Sequence, residues 1–167
     1  SLTFEIDERT GADGSVLTDP TDADLDALAA SLQAADVESV ANCLLNSYVN
    51  ASNERRIADH LRASLGVPVC ISAEISPQIR EYPRMITTAC NAATMPVIGP
   101  YLDELQKWLA AEGFGGSVLM MLSNGGVVSA DDAASGPIRL VESGPAAGAL
   151  AGSWFANRLG IDRLLCF

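Results

Sequence analysis

The stretch with the clearest chemical potential is residues 143–152, in which small side chains crowd the start of a predicted helix. Ser143, Gly144 and Pro145 open this helix, and small residues recur as far as Gly152. Small side chains let a helix approach another backbone closely, and the unpaired amides of its first turn favour an anion. Pro145 lacks an amide hydrogen, which removes one donor. Two interpretations stay open: close helix packing at a hinge, and direct contact with a ligand.

A second candidate is the loop formed by Ser123, Asn124, Gly125 and Gly126, which follows the most apolar predicted strand, residues 117–122. Glycines allow a backbone to approach a ligand, and Ser and Asn side chains can hydrogen-bond to it. An ordinary turn from a strand into a helix explains the same residues. The sequence supports the two interpretations equally.

Charged residues form two further candidates. Arg80 and Arg84 flank Glu81 at the head of a long predicted helix. This arrangement favours a local ion-pair network over a site for an anionic group or a neighbouring subunit. Glu142 could orient a metal-bound water, but the sequence supplies no partner carboxylate for it. No catalytic set is complete among these residues.

Cysteine and histidine are poorly placed for a metal site. No CxxC pair occurs, His60 is the one histidine, and the four cysteines are widely separated: Cys43, Cys70, Cys90 and Cys166. Zinc sites need closer ligand spacing. Cys43 and Cys70 lie in apolar runs, as buried thiols of a reducing cytosol do, so we expect a cytoplasmic protein. A catalytic Cys–His pair is the alternative, but His60 lies in a charged helical stretch that we predict to be at the surface.

Composition limits the class of protein. The 167 residues are 49% apolar and 19% charged, with a mean hydropathy of +0.21, which excludes a disordered chain. The net charge of −11 argues against binding to nucleic acid or to anionic lipid. Prolines or the 123–126 loop interrupt the long uncharged stretches, so no membrane span is predicted.

Hydrophobic periodicity predicts alternating helices and strands in the first half of the chain. A helix from Asp22 precedes a strand in residues 37–46, and a second helix, ended by Gly66, precedes a strand in residues 67–71. Such alternation is typical of an α/β fold with a mixed, mostly parallel sheet and flanking helices. Residues 3–6 are predicted as a further short strand.

The second half is predicted to begin with a long helix over residues 82–112, which Pro96 and Pro100 break or kink. The other predicted elements are strands at 117–122, 138–142 and 163–167 and a helix at 146–159. We therefore divide the chain into residues 1–80, an α/β segment, and residues 81–167, the long helix with a second α/β segment. The last predicted strand stops before its loop, so we expect a truncated chain.

Several stretches occur in the order found in one family. They are residues 41–48, 53–56, 72–75, 80–82, 87–88, 91–92, 123–126 and 143–148. Together they resemble the hydantoinase A/5-oxoprolinase family, which includes N-methylhydantoinase and acetone carboxylase-type subunits. Pro83 stands where the family usually has an acidic residue, so the ion-pair network around it stays open.

The resemblance implies one lobe of an actin-like, ribonuclease H-like ATPase. It implies an enzyme that uses ATP and Mg²⁺ to hydrolyse a small cyclic amide such as hydantoin or 5-oxoproline. By the same resemblance, Ser143, Gly144 and Gly148 belong to the hinge beside the nucleotide, and the 123–126 loop belongs to the substrate cleft. The family's second phosphate loop, Asp-x-Gly-Gly-Thr, would follow residue 167, so an internal, inactive fragment is expected. The expected partner is a subunit of the hydantoinase B type.

The competing class is a non-catalytic structural or subunit-assembly module of a carboxylase-type complex. The residues that follow position 167 would distinguish the two, because the enzyme requires the second phosphate loop. A dinucleotide-binding fold of the Rossmann type is disfavoured, since no GxGxxG follows a strand near the N-terminus.

Overall fold

In the computed structural model, which describes residues 2–166, short strands alternate with helices of very different lengths. The strands are β1 (Arg9–Thr10), β2 (Val16–Thr18), β3 (Val40–Asn42), β4 (Val69–Ile71), β5 (Leu119–Met121) and β6 (Val127–Ser129). The helices are α1 (Asp22–Ala34), α2 (Ser52–Leu65), α3 (Ser72–Ile75), α4 (Glu81–Ala111), α5 (Ala130–Ser135) and α6 (Ser143–Leu159), with a 3-10 turn at Pro137–Leu140. The predicted mixed α/β class is confirmed.

The strands of the described residues pair two by two. The β1–β2 and β5–β6 pairs are antiparallel, whereas β3–β4 is parallel, with Val40 opposite Val69 and Asn42 opposite Ile71. A parallel pair needs a long crossover, which α2 supplies between β3 and β4, while a short loop suffices for an antiparallel pair. Since one of the three sheets within residues 2–166 is parallel, a mostly parallel sheet is not confirmed.

The chain forms two compact units, Ser1–Pro96 and Val97–Phe167. Their boundary falls within the sequence range of α4, which continues through Pro96 and Pro100. The helix is therefore not broken at either proline, since each one removes a single backbone hydrogen bond from a helix of 31 residues. The division after residue 80 stays a prediction. Neither α4 nor another helix of the described residues is both long and apolar enough to cross a membrane.

Apolar side chains of α1, α2 and β4 form the core of the Ser1–Pro96 unit. The helical period places Leu25 and Leu32 on one face of α1, and Ile57 and Leu61 on the facing side of α2. The other buried members are Ala29, Ala58, Val69 and Ile71. Gly66 ends α2 with a φ of +68°, a left-handed conformation that glycine adopts without strain, as the sequence predicted.

The acidic start of α1 is capped and is tied to α2. Thr21 and Asp24 form a capping box, in which the Asp24 amide donates to Thr21 Oγ1 at 3.2 Å and the Thr21 amide donates to Asp24 Oδ2 at 2.8 Å. Arg56 of α2 donates to Asp19 Oδ1 at 2.9 Å and to Asp22 Oδ1 at 2.7 Å. These acidic residues near the N-terminus therefore serve local structure: Asp24 caps α1, and Asp19 and Asp22 bind Arg56.

Replacing Thr21 by alanine is expected to lower the free energy of unfolding by about 1 kcal/mol at neutral pH, because an amide of the first turn loses its acceptor. The Thr21 hydroxyl also holds the pKa of Asp24 below its ordinary 3.8. A depressed carboxyl pKa stabilises the fold above the unfolded pKa, and this contribution disappears as the pH falls through the folded value. Urea unfolding should therefore show a larger Thr21→Ala deficit at pH 7 than at pH 2.5. The control Thr21→Ser keeps the hydroxyl, and an equal loss in it would contradict the capping role.

Three predicted strands are not found in the structure. Residues 138–142 overlap the 3-10 turn Pro137–Leu140, because Pro137 has its φ preset for a helical turn and the Arg139 amide donates to Gly136 O at 3.1 Å. Residues 3–6 form no strand, since Ile6 packs against the apolar core instead of pairing. Residues 163–166 have no regular structure, and position 167 lies outside the described residues.

Candidate functional site

The 123–126 loop connects the two strands of a hairpin in the Val97–Phe167 unit. The Leu122 amide donates to Gly126 O at 2.8 Å, and the Gly125 amide donates to Leu122 O at 2.9 Å. The Asn124 side chain closes the loop by accepting from the Gly126 amide at 2.9 Å. The loop leads from β5 into β6 and not into a helix, so of the two interpretations left open, an ordinary strand-to-helix turn is excluded, and contact with a ligand stays a prediction.

Gly125 is the residue through which this loop approaches α6. Its φ of +82° lies in the left-handed region that favours glycine, and a Cβ there would lie 2.8 Å from Leu150 Cδ1. The Ser123 amide donates to Arg139 O at 2.8 Å, which joins the hairpin to the 3-10 turn before α6. The structure therefore brings the 123–126 loop and α6 together, which the sequence analysis did not foresee.

The start of α6 is open. Glu142 precedes it with a φ of +64° and makes no side-chain cap. Ser143 is half-buried, and Gly144 and Gly148 are exposed. A Cβ added at either glycine would meet no atom of the described residues within 4 Å. Amides of the first turn can therefore face an anion, while the hinge and nucleotide roles of these residues stay predictions.

The rest of α6 is apolar and exposed. The helix has no buried residue, and its large exposed side chains are Leu150, Trp154, Phe155 and Leu159. The Arg158 guanidinium lies 5.2 Å from the centre of the Trp154 ring, a cation–π arrangement. Exposed apolar side chains of this kind are typical of a surface that another part of a protein covers.

A buried polar cluster occupies the Ser1–Pro96 unit, built from Glu54 of α2, Ser72 of α3 and Arg84 of α4, all three fully buried. Glu54 Oε1 accepts from the Leu44 amide at 2.8 Å and from Ser72 Oγ at 2.6 Å. Glu54 Oε2 accepts from the Ala73 amide at 3.0 Å. Every contact is made by a donor, which suits an ionised carboxylate.

Arg84 completes this cluster with three hydrogen bonds from three different nitrogens. Its Nε donates to Ser72 Oγ at 2.9 Å, its Nη1 to Gln78 O at 2.8 Å, and its Nη2 to Leu44 O at 2.6 Å. The guanidinium also lies 5.6 Å from the centre of the Tyr48 ring. Glu54 and Arg84 thus both bond to the Ser72 hydroxyl. They also both bond to Leu44, Glu54 at its amide and Arg84 at its carbonyl.

Sequence comparison places this fold among known proteins. The profile of the hydantoinase/oxoprolinase domain matches residues 84–167, and that of the hydantoinase/oxoprolinase N-terminal region matches residues 1–65. The chain belongs to the hydantoinase/oxoprolinase family. The resemblance drawn from the ordered motifs is confirmed.

Relatives of the family match this chain almost from end to end. An uncharacterized protein of Methanocaldococcus jannaschii is 33% identical over 98% of this chain and 24% of its own length. The caprolactamase subunit alpha of Pseudomonas jessenii is 32% identical over 96% of this chain and 23% of its own length. The chain therefore spans about a quarter of the length of these relatives.

Solved structures of the family share the fold. The crystal structure of ATP-dependent caprolactamase from Pseudomonas jessenii matches with a TM-score of 0.79 and 32% identity, over 94% of this chain and 23% of that one. Nucleotide-free acetone carboxylase matches with a TM-score of 0.78 and 28% identity, over 93% and 22% of the two chains.

The buried cluster of Glu54, Ser72 and Arg84 was not predicted from the sequence. Arg84 was assigned to a local ion-pair network with Arg80 and Glu81, but those two residues are exposed and Arg84 points into the unit. One signal was present. Arg84, Thr88 and Asn91 recur at helical spacing and are fully buried, so a polar stripe marks the inner face of α4.

The thiols and the histidine of this family member form no site in the described residues. Cys70 is buried, its thiol donates to Thr88 O at 3.5 Å, and burial raises its pKa, which leaves it a poor nucleophile. Cys43 is half-buried, so burial is confirmed for Cys70 alone. His60 is only half-exposed, with Nε2 3.1 Å from Asp26 Oδ1. Among residues 2–166 no group of three or more His, Cys, Asp or Glu side chains could hold a metal ion.

Proposed function

We propose that this chain is part of an ATP-dependent enzyme that hydrolyses a cyclic amide such as hydantoin or 5-oxoproline. The observation that carries the proposal is the match, over 93–94% of the chain, to two enzymes described as ATP-dependent, one a caprolactamase and one an acetone carboxylase. A 5-oxoprolinase of Saccharomyces cerevisiae is also 28% identical over 87% of this chain and 11% of its own length. Caprolactam and 5-oxoproline are both cyclic amides, which favours this substrate class.

ATP enters the proposed reaction as a co-substrate that activates the amide carbonyl. The γ-phosphoryl group moves to the carbonyl oxygen and ADP leaves. Water adds to the carbonyl carbon and the ring C–N bond breaks, which gives a free amine and an acyl phosphate. A second water hydrolyses the acyl phosphate to a carboxylate and phosphate. One amide, one ATP and two waters thus yield one ring-opened amino acid, ADP and phosphate. Such a reaction depends on donors placed around the transferring group and on the exclusion of bulk water.

Residues of the Val97–Phe167 unit have proposed places in that reaction. The open first turn of α6, with Ser143 and Gly144, would face the nucleotide, and Gly148 would leave room beside it. The 123–126 loop, which approaches the same helix through Gly125, would form part of the substrate cleft. With these assignments, we propose that the chain forms part of one lobe of an actin-like ATPase. Mg²⁺ would enter with the nucleotide, and we assign it no ligand among residues 2–166.

We further propose a cytoplasmic enzyme with a second subunit of the hydantoinase B type. Support comes from relatives whose names make them subunits, such as the acetone carboxylase beta subunit of Xanthobacter autotrophicus, 29% identical over 99% of this chain and 23% of its own length. A second candidate function is a non-catalytic assembly module. The exposed apolar side chains of α6 favour it, because assembly surfaces are apolar where they are covered.

Substrate-stimulated ATP hydrolysis separates these two candidates. In the full-length protein, with its partner subunit if one co-purifies, phosphate release from ATP should rise when caprolactam, hydantoin or 5-oxoproline is added. Gly148→Val is expected to raise the KM for ATP by about tenfold to hundredfold, because a side chain would enter the space proposed for the nucleotide.

The matched control is Ala149→Val, which places the same side chain at the neighbouring exposed position of α6. A Cβ at position 148 would meet no atom of the described residues within 4 Å beyond the neighbouring backbone of α6, and the change removes a poor helix former, so a folding defect is not expected. Equal KM values for ATP in the two variants would refute the assignment of Gly148. Phosphate release that no cyclic amide stimulates would favour the assembly module.

A further inference from the structure

We propose that Glu54, Ser72 and Arg84 are positioning residues for the reaction described above. They hold two segments in a single arrangement: the β3 loop (residues 43–51) and the β4 loop (residues 72–80), which begins with the short helix α3. These loops follow the carboxyl ends of the one parallel strand pair of the described residues, the edge at which α/β sheets bind ligands. The catalytic consequence rests on the proposed function, whereas the holding of the loops does not.

Glu54 joins the two loops through its carboxylate. One oxygen accepts from the Leu44 amide in the β3 loop, and both oxygens accept from the β4 loop, through Ser72 Oγ and the Ala73 amide. Glu54 also contributes its backbone carbonyl, which accepts from Asn42 Nδ2 at 2.9 Å at the end of β3. Without this residue the amides of Leu44 and Ala73 lose their buried acceptor.

Arg84 joins the same two loops with the opposite charge. Its guanidinium donates to Leu44 O in the β3 loop and to Ser72 Oγ and Gln78 O in the β4 loop. The planar fork of arginine reaches three acceptors at once, which the single ammonium of lysine cannot reproduce at this spacing. Leu44 is thus held at its amide by one charge and at its carbonyl by the other.

The Ser72 hydroxyl forms hydrogen bonds with both charged side chains, Glu54 and Arg84. It has one proton, which it donates to Glu54 Oε1, and two lone pairs. Arg84 Nε donates to one lone pair, so Ser47 Oγ, 3.1 Å away in the β3 loop, must be the donor to the other. Each bonding capacity of this buried oxygen is therefore used.

The cluster is polar and does not belong to the apolar core. The apolar core of the unit is formed by α1, α2 and β4 and contains none of these three residues. Burying two charges is costly, and apolar side chains of similar volume would often stabilise a fold as well or better. The six contacts of Glu54 and Arg84 with the loops point instead to a single loop geometry that chemistry at this edge requires.

Ser72→Ala in the full-length protein tests the inference, with Thr88→Val as the matched control. Thr88 is also a fully buried hydroxyl, but it donates to Arg84 O within its own helix and not to a loop. Hydrogen exchange at the Leu44 and Ala73 amides should become about tenfold faster in Ser72→Ala, relative to core amides of α2 such as Leu61. In Thr88→Val these ratios should not change.

Turnover supplies the catalytic readout. Ser72→Ala should lower kcat/KM for the cyclic amide at least about tenfold per folded molecule, while Thr88→Val stays near the parent. Unchanged exchange at Leu44 and Ala73, or equal acceleration of all core amides, would overturn the positioning role, as would equal turnover in the two variants. If the parent shows no amide-dependent turnover, the proposed function fails, and hydrogen exchange alone decides whether the cluster holds the loops. Arg84→Lys, which keeps the charge but not the fork, serves if Ser72→Ala does not fold.

Discussion

Replacing Arg84 by methionine is expected to lower the free energy of unfolding by about 3–5 kcal/mol, because three hydrogen bonds from a buried charged donor are lost, each worth about 1.5–3 kcal/mol, and the packing of methionine offsets part of that loss. Methionine has a similar length and fills much of the space. It supplies no donor to Ser72 Oγ, Leu44 O or Gln78 O. Urea unfolding of parent and variant at neutral pH measures the difference.

Arg55→Met is the matched control for this substitution. Arg55 lies on α2 next to Glu54, but its side chain is exposed and its Nε lies 3.6 Å from Glu74 Oε1, itself exposed. Surface ion pairs contribute about 0–1 kcal/mol, so Arg55→Met should change little. Similar losses in Arg55→Met and Arg84→Met would contradict the buried cluster as the structure describes it.

Replacing Ile57 by alanine is expected to have the second largest effect, a loss of about 2–5 kcal/mol. The side chain is only 1% exposed and belongs to the core between α1, α2 and β4. The loss combines the transfer of the removed carbons with the cavity left behind, because neighbours such as Leu25 and Leu61 are held by their own packing.

Ile79→Ala is the control for the core substitution. Ile79 is 66% exposed in the β4 loop, so the same change of side chain should alter the free energy of unfolding by no more than about 0.5 kcal/mol. The denaturant midpoints of the two variants provide the comparison. Coinciding midpoints would mean that α1 and α2 do not form a packed core.

The parts of the fold that sequence predicted are those decided by local pattern. The α1 and α2 helices follow from apolar periodicity with a start at Asp22 and a stop at Gly66, and β4 follows from an apolar run. The hairpin was missed because β6 is only three residues long and its partner is chosen by pairing, not by pattern. Residues 138–142 were misassigned because an apolar run does not distinguish a strand from a 3-10 turn opened by Pro137.

The candidate sites also differ in whether a local sequence pattern reveals them. Sequence located the 123–126 loop and the start of α6, since glycine and serine clusters are local signals, but not the contact of Gly125 with Leu150. The buried cluster escaped because Glu54, Ser72 and Arg84 lie on three different elements, and charged residues are rarely buried without a partner. Their pairing depends on the parallel register of β3 and β4, which brings both loops to one edge.

The most direct test of the central claim is the stoichiometry of ATP use by the full-length protein. Phosphate released from ATP and ring-opened amino acid are quantified in the same reaction with caprolactam, hydantoin or 5-oxoproline. The account predicts equal molar amounts of the two products with at least one of these substrates, and no ring opening when ADP replaces ATP. Ring opening without ATP, or phosphate release without a ring-opened product for every substrate, would contradict it.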